Sequence, residues 1–319
     1  SIIDSARHFL HLEGVRDAYK MSRTELAKRA LHHTSDFPLV LENIATKSLR
    51  DAYEGAPNTY SPFVAARTVA DFKEISSVQL SNGGKLEKVN EHGEYKRTTL
   101  AESAEKYKVE KYGLIIGRTY ELIVNDDLDA FTRVPARLGV RAREKENEIF
   151  WNLIIANQTM AEDGLGLFDA SRNQAGAGAA LSVDAIGAGR AAMRLFLDLD
   201  GELMNLSPSY IVTPAALETK AQQFVTQFTP DQAGNVNPFA GNLQVLAEPR
   251  LDAASATAWH LFADAGKIDM AEIARLDGVA GPEVFTREGF DIDGMEVKIR
   301  HQFGMRIVDW RGFWKNPGA

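Results

Sequence analysis

The polar stretch over residues 80–113 most constrains what this chain can fold into. It reads LSNGGKLEKVNEHGEYKRTTLAESAEKYKVEKYG, with charges of both signs interleaved. Asn82 and Gly83 form a strong tight-turn signal, and Tyr107 to Tyr112 alternate apolar and polar residues like a half-buried strand. Limbs of about 15 residues, at about 3.3 Å per residue, would project on the order of 50 Å. Because so long a hairpin is unstable alone in water, its apolar residues need a surface elsewhere.

Charge and composition exclude several classes of protein. The chain has 319 residues, enough for one large or two moderate cores, and a formal net charge of -8. That charge argues against a surface that grips nucleic acid through clustered Lys and Arg. Hydrophobic residues make up 45% and charged residues 25%, as in folded chains rather than disordered ones. The lack of cysteine excludes disulfides, thiolate metal sites and cysteine nucleophiles.

No membrane segment or signal peptide is predicted. Apolar runs such as IFWNLIIA at residues 149–156 are far shorter than the roughly 20 residues that span a bilayer. The first residues lack the basic start, apolar core and small-residue cleavage site of a signal peptide. Because the chain starts at Ser1 and not at Met, we expect that either a tag was removed or a protease made this end from a longer precursor.

Short amphipathic helices are predicted over the first 55 or so residues. Apolar positions recur there with near-helical spacing, and Ser22 with Glu25 three residues later matches a capping box. A second helix is predicted over residues 39–53, after the break at His32 and His33. These helices have little core of their own.

A longer helix is predicted over residues 135–157. Asn125, Asp126 and Asp127 are candidate N-caps of a short helix before it, and Pro135 suits the first turn of the longer one. The helix would be about 30 Å long, with the charges of the REKENE run on one side. Its opposite, apolar side would comprise Leu138, Ala142, Ile149 and Leu153.

Strands and helices follow one another irregularly in the rest of the chain. Residues 114–124 and 207–214 are predicted as strands, and residues 182–199 as a helix capped by its first residue, a serine. Asp293 and Gly294 mark a second hairpin turn, before strand-like residues that lead to an aromatic end. This mixture favours an α+β fold over a doubly wound sheet.

One segment, GAGRAA at residues 187–192, matches the dinucleotide-binding pattern GxGxxA. Such a site needs a buried strand directly before the glycines and a helix that opens at them. Here the helix is predicted to begin earlier, at Ser182, so Gly187 and Gly189 lie inside it and are expected to permit close packing. A small-molecule enzyme that uses the Gly187-Gly189 segment is nevertheless the alternative from another functional class.

The other candidates for catalysis or metal binding lack the required pattern. No HExxH motif occurs, and His8 with His11 has no third ligand nearby. His260 and His301 are isolated and are predicted to be packing residues. No GxSxG motif marks a serine nucleophile, and the acid pairs are explained by capping and turns. The sequence therefore predicts no catalytic, cofactor-binding or metal-ligating residue and a protein that is not an enzyme.

The order of the segments resembles the major capsid proteins of tailed double-stranded DNA bacteriophages, which have the Hong Kong 97 fold. The resemblance covers essentially the whole chain, and it depends on the joint order of its motifs more than on any single one. The motifs are the helical N-terminal arm, the charged hairpin, LIIGRTYELIVND, EKENEIFWNLI, SPSYIVTPAAL and GMEVKIRHQFGMRIVDWRGFW. The stretch HHTSDFPLVLENIATKSLRDAYEGAPNTYSPF is similar to the Mu-like head subunits, including capsid proteins made fused to a prohead protease.

The resemblance implies a division of the chain into an arm, a peripheral domain and an axial domain. The extended loop would lie across a neighbouring subunit, the long helix would be the spine of the peripheral domain, and the axial domain would gather at the capsomer centre. The implied bounds are 1–55 for the N-terminal arm, 56–159 and 286–319 for the peripheral domain, about 71–112 for the extended loop, about 135–157 for the spine helix and 160–285 for the axial domain.

The function that the resemblance implies is a major capsid protein that self-assembles into pentamers and hexamers of an icosahedral shell around double-stranded DNA. Its partners would be other copies, on which the arm and the hairpin bury their apolar sides, with portal, decoration or scaffolding proteins and a prohead protease during assembly. The packaged DNA would be enclosed without sequence-specific binding, and no membrane is involved. Assembly is expected in the bacterial host cytoplasm, with proteolytic removal of an N-terminal region explaining Ser1.

An encapsulin-like compartment shares this fold and is the close alternative, although the long arm and the apparent processing favour a virus. Some capsid proteins with the fold join an extended-loop lysine to an asparagine near the C-terminal strands. Lys85, Lys88 and Lys96 are available here, but residues 288–298 contain no asparagine. We therefore expect non-covalent assembly.

Overall fold

A computed structural model describes residues 7–8, 10–11, 15–22, 36–80, 102–119, 128–225, 241–289 and 294–319. The order of its helices and strands is irregular, which confirms the predicted α+β class. Contacts within the chain define two units. The first unit comprises Ser1–Asn58, Glu110–Glu146 and Leu276–Phe303, and the second comprises Thr59–Val109, Asn147–Arg275 and Gly304–Ala319. The predicted arm, peripheral and axial domains are defined by place in a shell, so their boundaries stay a prediction.

The helices and strands are numbered here in chain order. The helices are α1 (Asp36–Gly55), α2 (Leu128–Ile155), α3 (Val183–Arg194) and α4 (Glu218–Val225). The strands are β1 (Val64–Val69), β2 (Ile75–Leu80), β3 (Glu102–Tyr107), β4 (Glu110–Thr119), β5 (Tyr210–Thr213), β6 (Gln244–Ala247), β7 (Trp259–Phe262), β8 (Ala271–Leu276), β9 (Glu283–Gly289), β10 (Gly294–Ile307) and β11 (Phe313–Asn316).

The first unit is built on β10, which pairs antiparallel with β4 on one side and β9 on the other. Ile299 of β10 lies opposite Leu114 of β4 and Val284 of β9. Helix α1, expected from residue 39 and found from Asp36, buries Ala45 and Leu49 against these strands. The predicted arm therefore has a hydrophobic partner within its own chain over α1, where we had expected burial on adjacent copies. The sequence could not show that β9 and β10 supply this surface.

Helix α2 begins at Leu128, so the prediction that Pro135 opens it is wrong. Proline has no amide hydrogen to donate to the carbonyl four residues earlier, which is why it favours a first turn. Here Pro135 is buried inside the helix. One turn later, a Cβ atom at Gly139 would clash with the carbonyl oxygen of Leu49, so the two helix backbones approach closely. Helix α2 therefore contains its proline in a segment that packs closely against α1.

Buried charges from α2 lie in the interior of the first unit. Glu146 is fully buried and accepts hydrogen bonds from the Tyr53 hydroxyl at 2.9 Å and from Nη1 of Arg143 at 2.7 Å. Nε2 of His301 lies 3.0 Å from the same carboxylate, and the Arg143 guanidinium stacks 3.9 Å from the centre of the Tyr53 ring. The prediction that the REKENE charges all face away from the core is therefore wrong. The partners that make their burial possible come from distant parts of the chain.

The second unit contains a four-stranded sheet in the order β11, β7, β5, β6, with β5 and β6 parallel and the other pairs antiparallel. Its core is aromatic: Phe63 lies 5.0 Å from Phe262 and 6.1 Å from Phe150, measured between ring centres. Phe262 in turn lies 4.7 Å from Phe313 of β11. Such edge-to-face and offset pairs add to the stability gained from burial alone.

In both predicted hairpins the described strands pair antiparallel, β2 with β3 and β9 with β10, but their bounds differ from the prediction. Gly294 belongs to β10 and pairs with Gly289 of β9, so the turn does not contain Gly294 as predicted; residues 290–293 lie outside the described residues. The predicted strand over residues 107–112 is divided between β3 and β4. Between β3 and β4 the backbone packs closely against β10, because a Cβ atom at Gly304 would clash with the carbonyl oxygen of Lys108.

Candidate interaction surfaces

The glycines of the GxGxxA pattern lie inside α3, as predicted. The Ser182 side chain caps the helix by accepting a hydrogen bond from the Ala185 backbone N–H at 3.2 Å. A Cβ atom at Gly189 would lie 2.7 Å from both Leu261 and Trp314, so the glycine is needed for close packing against β7 and β11. The helix N-terminus, which would have to face a pyrophosphate, is not at the glycines. The helix ends at Arg194 and not at residue 199 as predicted.

Among the described residues there is neither a cluster of side chains that could bind a metal ion nor a helix that could cross a membrane. In these parts of the chain, no three His, Cys, Asp or Glu side chains lie close enough together to hold a metal ion. His260 packs 5.3 Å from Phe168 and 5.9 Å from Phe262 between ring centres, and burial lowers its pKa to about 3. His301 packs 4.8 Å from Phe303. None of the described helices is long and apolar enough to cross a membrane.

The base of the predicted extended loop is a two-stranded ribbon of β2 and β3. The strands pair antiparallel, with Ile75 opposite Tyr107 and Ser77 opposite Glu105, and these four residues form the buried face. Val78 on the other face is 48% exposed. Among the described strands, β2 and β3 pair only with each other. The turn predicted at residues 82–83 and the three candidate lysines lie outside the described residues.

Glu105 holds this ribbon against the rest of the second unit, of which the ribbon is a part. Its side chain is almost fully buried, and its Oε2 accepts hydrogen bonds from Nε and Nη2 of Arg306 at 3.0 and 2.9 Å. Its Oε1 accepts a hydrogen bond from the backbone N–H of Ala161. Nη2 of Arg306 also donates to the carbonyl oxygen of Thr159 at 3.0 Å. The carboxylate therefore joins β3 to the end of β10 and to the loop after α2.

A second polar contact lies two residues along the same face of β3. The Tyr107 hydroxyl donates to Oε2 of Glu272 at 2.9 Å, and Nη1 of Arg67 lies 3.4 Å from the same oxygen. Burial, together with the negative charge of Glu272, raises the pKa of Tyr107, so its hydroxyl stays protonated and donating. Arg67 also donates to the carbonyl oxygen of Ser76 at 3.4 Å, so β1 contacts strand β2 of the ribbon directly.

Three exposed leucines form a second surface, here called the leucine face: Leu195 (67% exposed), Leu197 (48%) and Leu203 (62%). Leu195 is the C-cap residue of α3, and Leu197 lies opposite Leu203 in a short antiparallel ladder that follows the helix. Phe196, between the first two leucines, points the other way and packs 5.4 Å from Trp310. One side of the ladder is therefore in the core and its other side presents apolar groups to solvent.

A buried ion pair holds the leucine face in place. Nε of Arg311 donates to the carbonyl oxygen of Leu197 at 2.6 Å, while Nη2 and Nη1 donate to the two oxygens of Glu162 at 2.6 and 2.9 Å. The Trp310 indole also donates to Glu162, at 3.1 Å. Burial raises the pKa of the neighbouring Asp309, although Arg311 opposes this shift. A charged network thus fixes the backbone that carries the leucines.

Strand β4 presents exposed apolar residues in the first unit. Leu114 is 45% exposed and Ile115 is 58% exposed, although consecutive residues of a strand point to opposite faces. β4 pairs with β10 along one edge, and no described strand pairs with its other edge. Exposed apolar groups on an edge strand are typical of a surface that another chain covers.

Comparison with known proteins gives a family match. Residues 102–316 match a family model described as phage capsid protein. No curated protein that was compared matches the sequence.

Solved structures of viral and bacterial shells are similar to this chain in fold. The procapsid protein of bacteriophage JBD30 is 14% identical, with 90% of this chain and 76% of that chain covered and a TM-score of 0.51. The capsid protein of cyanophage P-SCSP1u is 8% identical, with 83% and 89% covered and a TM-score of 0.56. The SrpI encapsulin of Synechococcus elongatus is 8% identical, with 82% and 86% covered and a TM-score of 0.50. At these identities the likeness shows the fold alone.

Sequence reasoning missed the residues that fix these surfaces. Glu105 lies in a stretch where charges of both signs are interleaved, so nothing in the sequence distinguished it from its neighbours. Its partner Arg306 lies about two hundred positions further along the chain. The leucine face did have a sequence signal, a turn pattern after Leu197, but we missed it because the helix was predicted to run through residues 182–199. Leu195, Phe196 and Leu197 are followed by Asp198, whose carboxylate accepts hydrogen bonds from two later backbone N–H groups, a turn pattern that ends the helix early.

Proposed function

The chain belongs to the phage capsid protein family, and on that premise we propose how copies of it build a virus head. It is a major capsid protein with the Hong Kong 97 fold, a structural subunit of the virion shell. The observation that carries this conclusion is the family match over residues 102–316, which is most of the chain. The solved phage capsids support the same fold independently of sequence identity.

The shell consists of pentamers and hexamers in icosahedral order and encloses double-stranded DNA. Residues 160–285 form the axial domain at the capsomer centre, and residues 56–159 with 286–319 form the peripheral domain. Residues 71–112 are the extended loop, which lies across a neighbouring copy. This division is supported by the paired ribbon of β2 and β3 at the base of that loop and by the long helix α2.

The leucine face contacts a second copy of this chain. Leu195, Leu197 and Leu203 are between 48% and 67% exposed, and covering each contributes on the order of 1–2 kcal/mol. A shell subunit repeats every contact around a ring, so even a modest gain per contact accumulates. The charges interleaved along residues 80–113 suit a contact with a defined register, because wrong pairings bring like charges together.

Assembly is non-covalent, and the subunit has no catalytic activity of its own. Residues 288–298 lack the asparagine that a crosslink of the known kind requires. A single-subunit band on a denaturing gel of particles is the expected result, and a ladder of multimers contradicts it. Nucleotide binding by the purified subunit tests the enzyme alternative; we expect none, since Gly189 is packed against Leu261 and Trp314.

The finer placement of the protein is also part of this proposal. It belongs to the Mu-like branch, is assembled in the bacterial host cytoplasm, and meets portal, scaffolding or decoration proteins and a prohead protease during assembly. The segment similar to Mu-like head subunits supports the branch. The encapsulin of Synechococcus elongatus supports a shared fold only, whereas the family match favours a virus.

Electron microscopy with mass determination of the protein expressed alone tests the shell function. Closed particles, or rings of five and six subunits, are expected. A monomer or dimer that never assembles under any salt or pH tried would contradict the proposal. Leu197→Asp tests the leucine face in the same assay: it should reduce particle yield at least tenfold without lowering the unfolding temperature of the free subunit. Leu197→Met, which stays apolar, is the matched control and should assemble normally.

A further inference from the structure

The direction of the β2–β3 ribbon depends on side chains at its base. Among the described strands, β2 and β3 form a sheet of their own, so backbone pairing with a larger sheet does not fix the ribbon. An isolated two-stranded hairpin is at best marginally stable in water. Contacts of its buried face with the rest of the second unit must therefore determine how the ribbon is held.

Glu105 makes the contacts that restrain the ribbon most strongly. Its two oxygens accept hydrogen bonds from three N–H groups that belong to two separate parts of the chain, Arg306 in β10 and Ala161 in the loop after α2. Both guanidinium donors converge on Oε2, while the Ala161 N–H donates to Oε1, so each oxygen of the carboxylate is held by a different part of the chain. The neighbouring Tyr107–Glu272 hydrogen bond is a single contact and leaves more freedom.

A buried carboxylate at position 105 is unfavourable if only the stability of the subunit matters. Glu105 has a side chain that is 3% exposed and its partner Arg306 one that is 28% exposed, so both lose much of their hydration. Buried ion pairs replaced by apolar residues of similar volume often leave proteins as stable or more so. What the pair adds is one defined geometry. The adjacent ion pair on the same strand, Lys106 with Glu74 at 3.6 Å, is exposed and adds no such restraint.

We propose that Glu105, paired with Arg306, is a positioning residue for assembly that sets the direction in which the β2–β3 ribbon extends from the rest of the second unit. This inference rests on the proposed contact between the extended loop and a neighbouring copy. A ribbon that leaves at another angle presents the loop in the wrong place, although each subunit remains folded. Assembly should then fail or give irregular particles.

The decisive variant is the double substitution E105Q/R306M. It removes both charges, keeps an acceptor for the Ala161 N–H and keeps the apolar stem at position 306, so no unpaired guanidinium is left. We expect circular dichroism and the unfolding temperature of the free subunit to stay within about 3 °C of wild type, a shift of about 1 kcal/mol or less. The yield of closed particles of wild-type diameter should nevertheless fall at least tenfold, as measured by sedimentation and electron microscopy.

Two further variants separate positioning from stability. K106Q, which removes the exposed charge next to Glu105, should assemble like wild type. E105Q alone should lower both the unfolding temperature and the particle yield, because it leaves Arg306 without its counter-charge. If E105Q/R306M recovers stability and wild-type particles together, Glu105 is only structural and the inference is overturned, while the shell function stands. If wild-type protein forms no particles, the shell function itself fails, which is a different result.

Discussion

Two ion pairs on α2 have the same geometry along the helix but differ in burial, so together they test what burial contributes. Arg141 with Glu144 and Arg143 with Glu146 have the same spacing along the helix and the same 2.7 Å separation. The first pair has side chains 76% and 43% exposed, and the second 10% and 0%. We compare Glu146→Gln with Glu144→Gln, since both substitutions keep the size of the side chain and remove one negative charge.

The expected effects differ by almost an order of magnitude. In Glu146→Gln the new side chain would keep an oxygen for Tyr53 and His301, which both contact Oε1, but its amide group would face the Arg143 guanidinium. Breaking a buried ion pair in this way costs about 3–5 kcal/mol, because the remaining charge is left desolvated. Breaking an exposed helical pair costs about 0.3–0.5 kcal/mol. The cost expected for Glu146→Gln is a sizeable share of the total free energy of unfolding of a small domain.

The assay is denaturant unfolding of unassembled subunits, followed by circular dichroism and by hydrogen exchange in α1. Hydrogen exchange is needed because all four tryptophans lie in the second unit, so their fluorescence does not report directly on the first. Protection in α1 should fall at least a hundredfold in Glu146→Gln and less than threefold in Glu144→Gln. Equal losses in the two variants would refute the reasoning, because burial would then have no effect on the value of the pair.

Three other substitutions, one of them with a matched control, test the packing of the second unit. Gly189→Val should destabilise the subunit by about 1–3 kcal/mol in thermal or urea unfolding, because the added side chain overpacks the core. Gly176→Val is the control: no atom lies within 4 Å of a Cβ atom built there, so the free energy of unfolding should change by less than about 0.5 kcal/mol. Equal effects of the two substitutions would contradict the packing role of Gly189. The pKa of His260 is lowered from 6.5 to about 3, so as pH falls between these values the unfolded state binds a proton that the folded state does not, and stability falls. His260→Gln should flatten this part of the stability profile, and an unchanged slope would count against the assignment. Tyr107→Phe should cost about 1–2 kcal/mol because Glu272 loses a donor, and a neutral result would mean that water replaces the hydroxyl.

The sequence predicted elements that depend on local chemistry. The cap at Ser182 and the packing glycine at Gly189 follow from residues a few positions apart, and the structure confirms both. A long hairpin between Phe72 and Tyr112 was predicted, and β2 pairs with β3 within that stretch, although the predicted return limb over residues 107–112 is divided between β3 and β4. The start of α2 did not follow, because tertiary packing around Pro135 overrides the local preference for a first turn.

The buried charges could not be predicted for a different reason. A charged residue is predicted to face solvent unless a partner is known, and the partners here are far away in the chain. Glu146 contacts Tyr53 and His301, which lie 93 and 155 positions from it. A single sequence contains no signal that brings such groups together. The same limit applies to Glu105. The buried charges of the first unit and the ion pair that holds the β2–β3 ribbon could therefore be identified only from the three-dimensional structure.

Exposed leucines and buried charges have a common explanation in a shell subunit. A protein that works alone gains nothing from the leucine face, because contiguous exposed apolar surface promotes association. In a shell, association is the function, but association alone does not close a particle: a head-to-tail contact closes only when every copy repeats the same rotation. Repetition requires surfaces that are held in one geometry. Arg311 holds the backbone of Leu197, and Glu105 holds the ribbon of β2 and β3, each through hydrogen bonds to ionised groups. We therefore infer that the apolar surfaces supply the attraction between copies, while the buried ion pairs inside each unit define the angles at which copies meet.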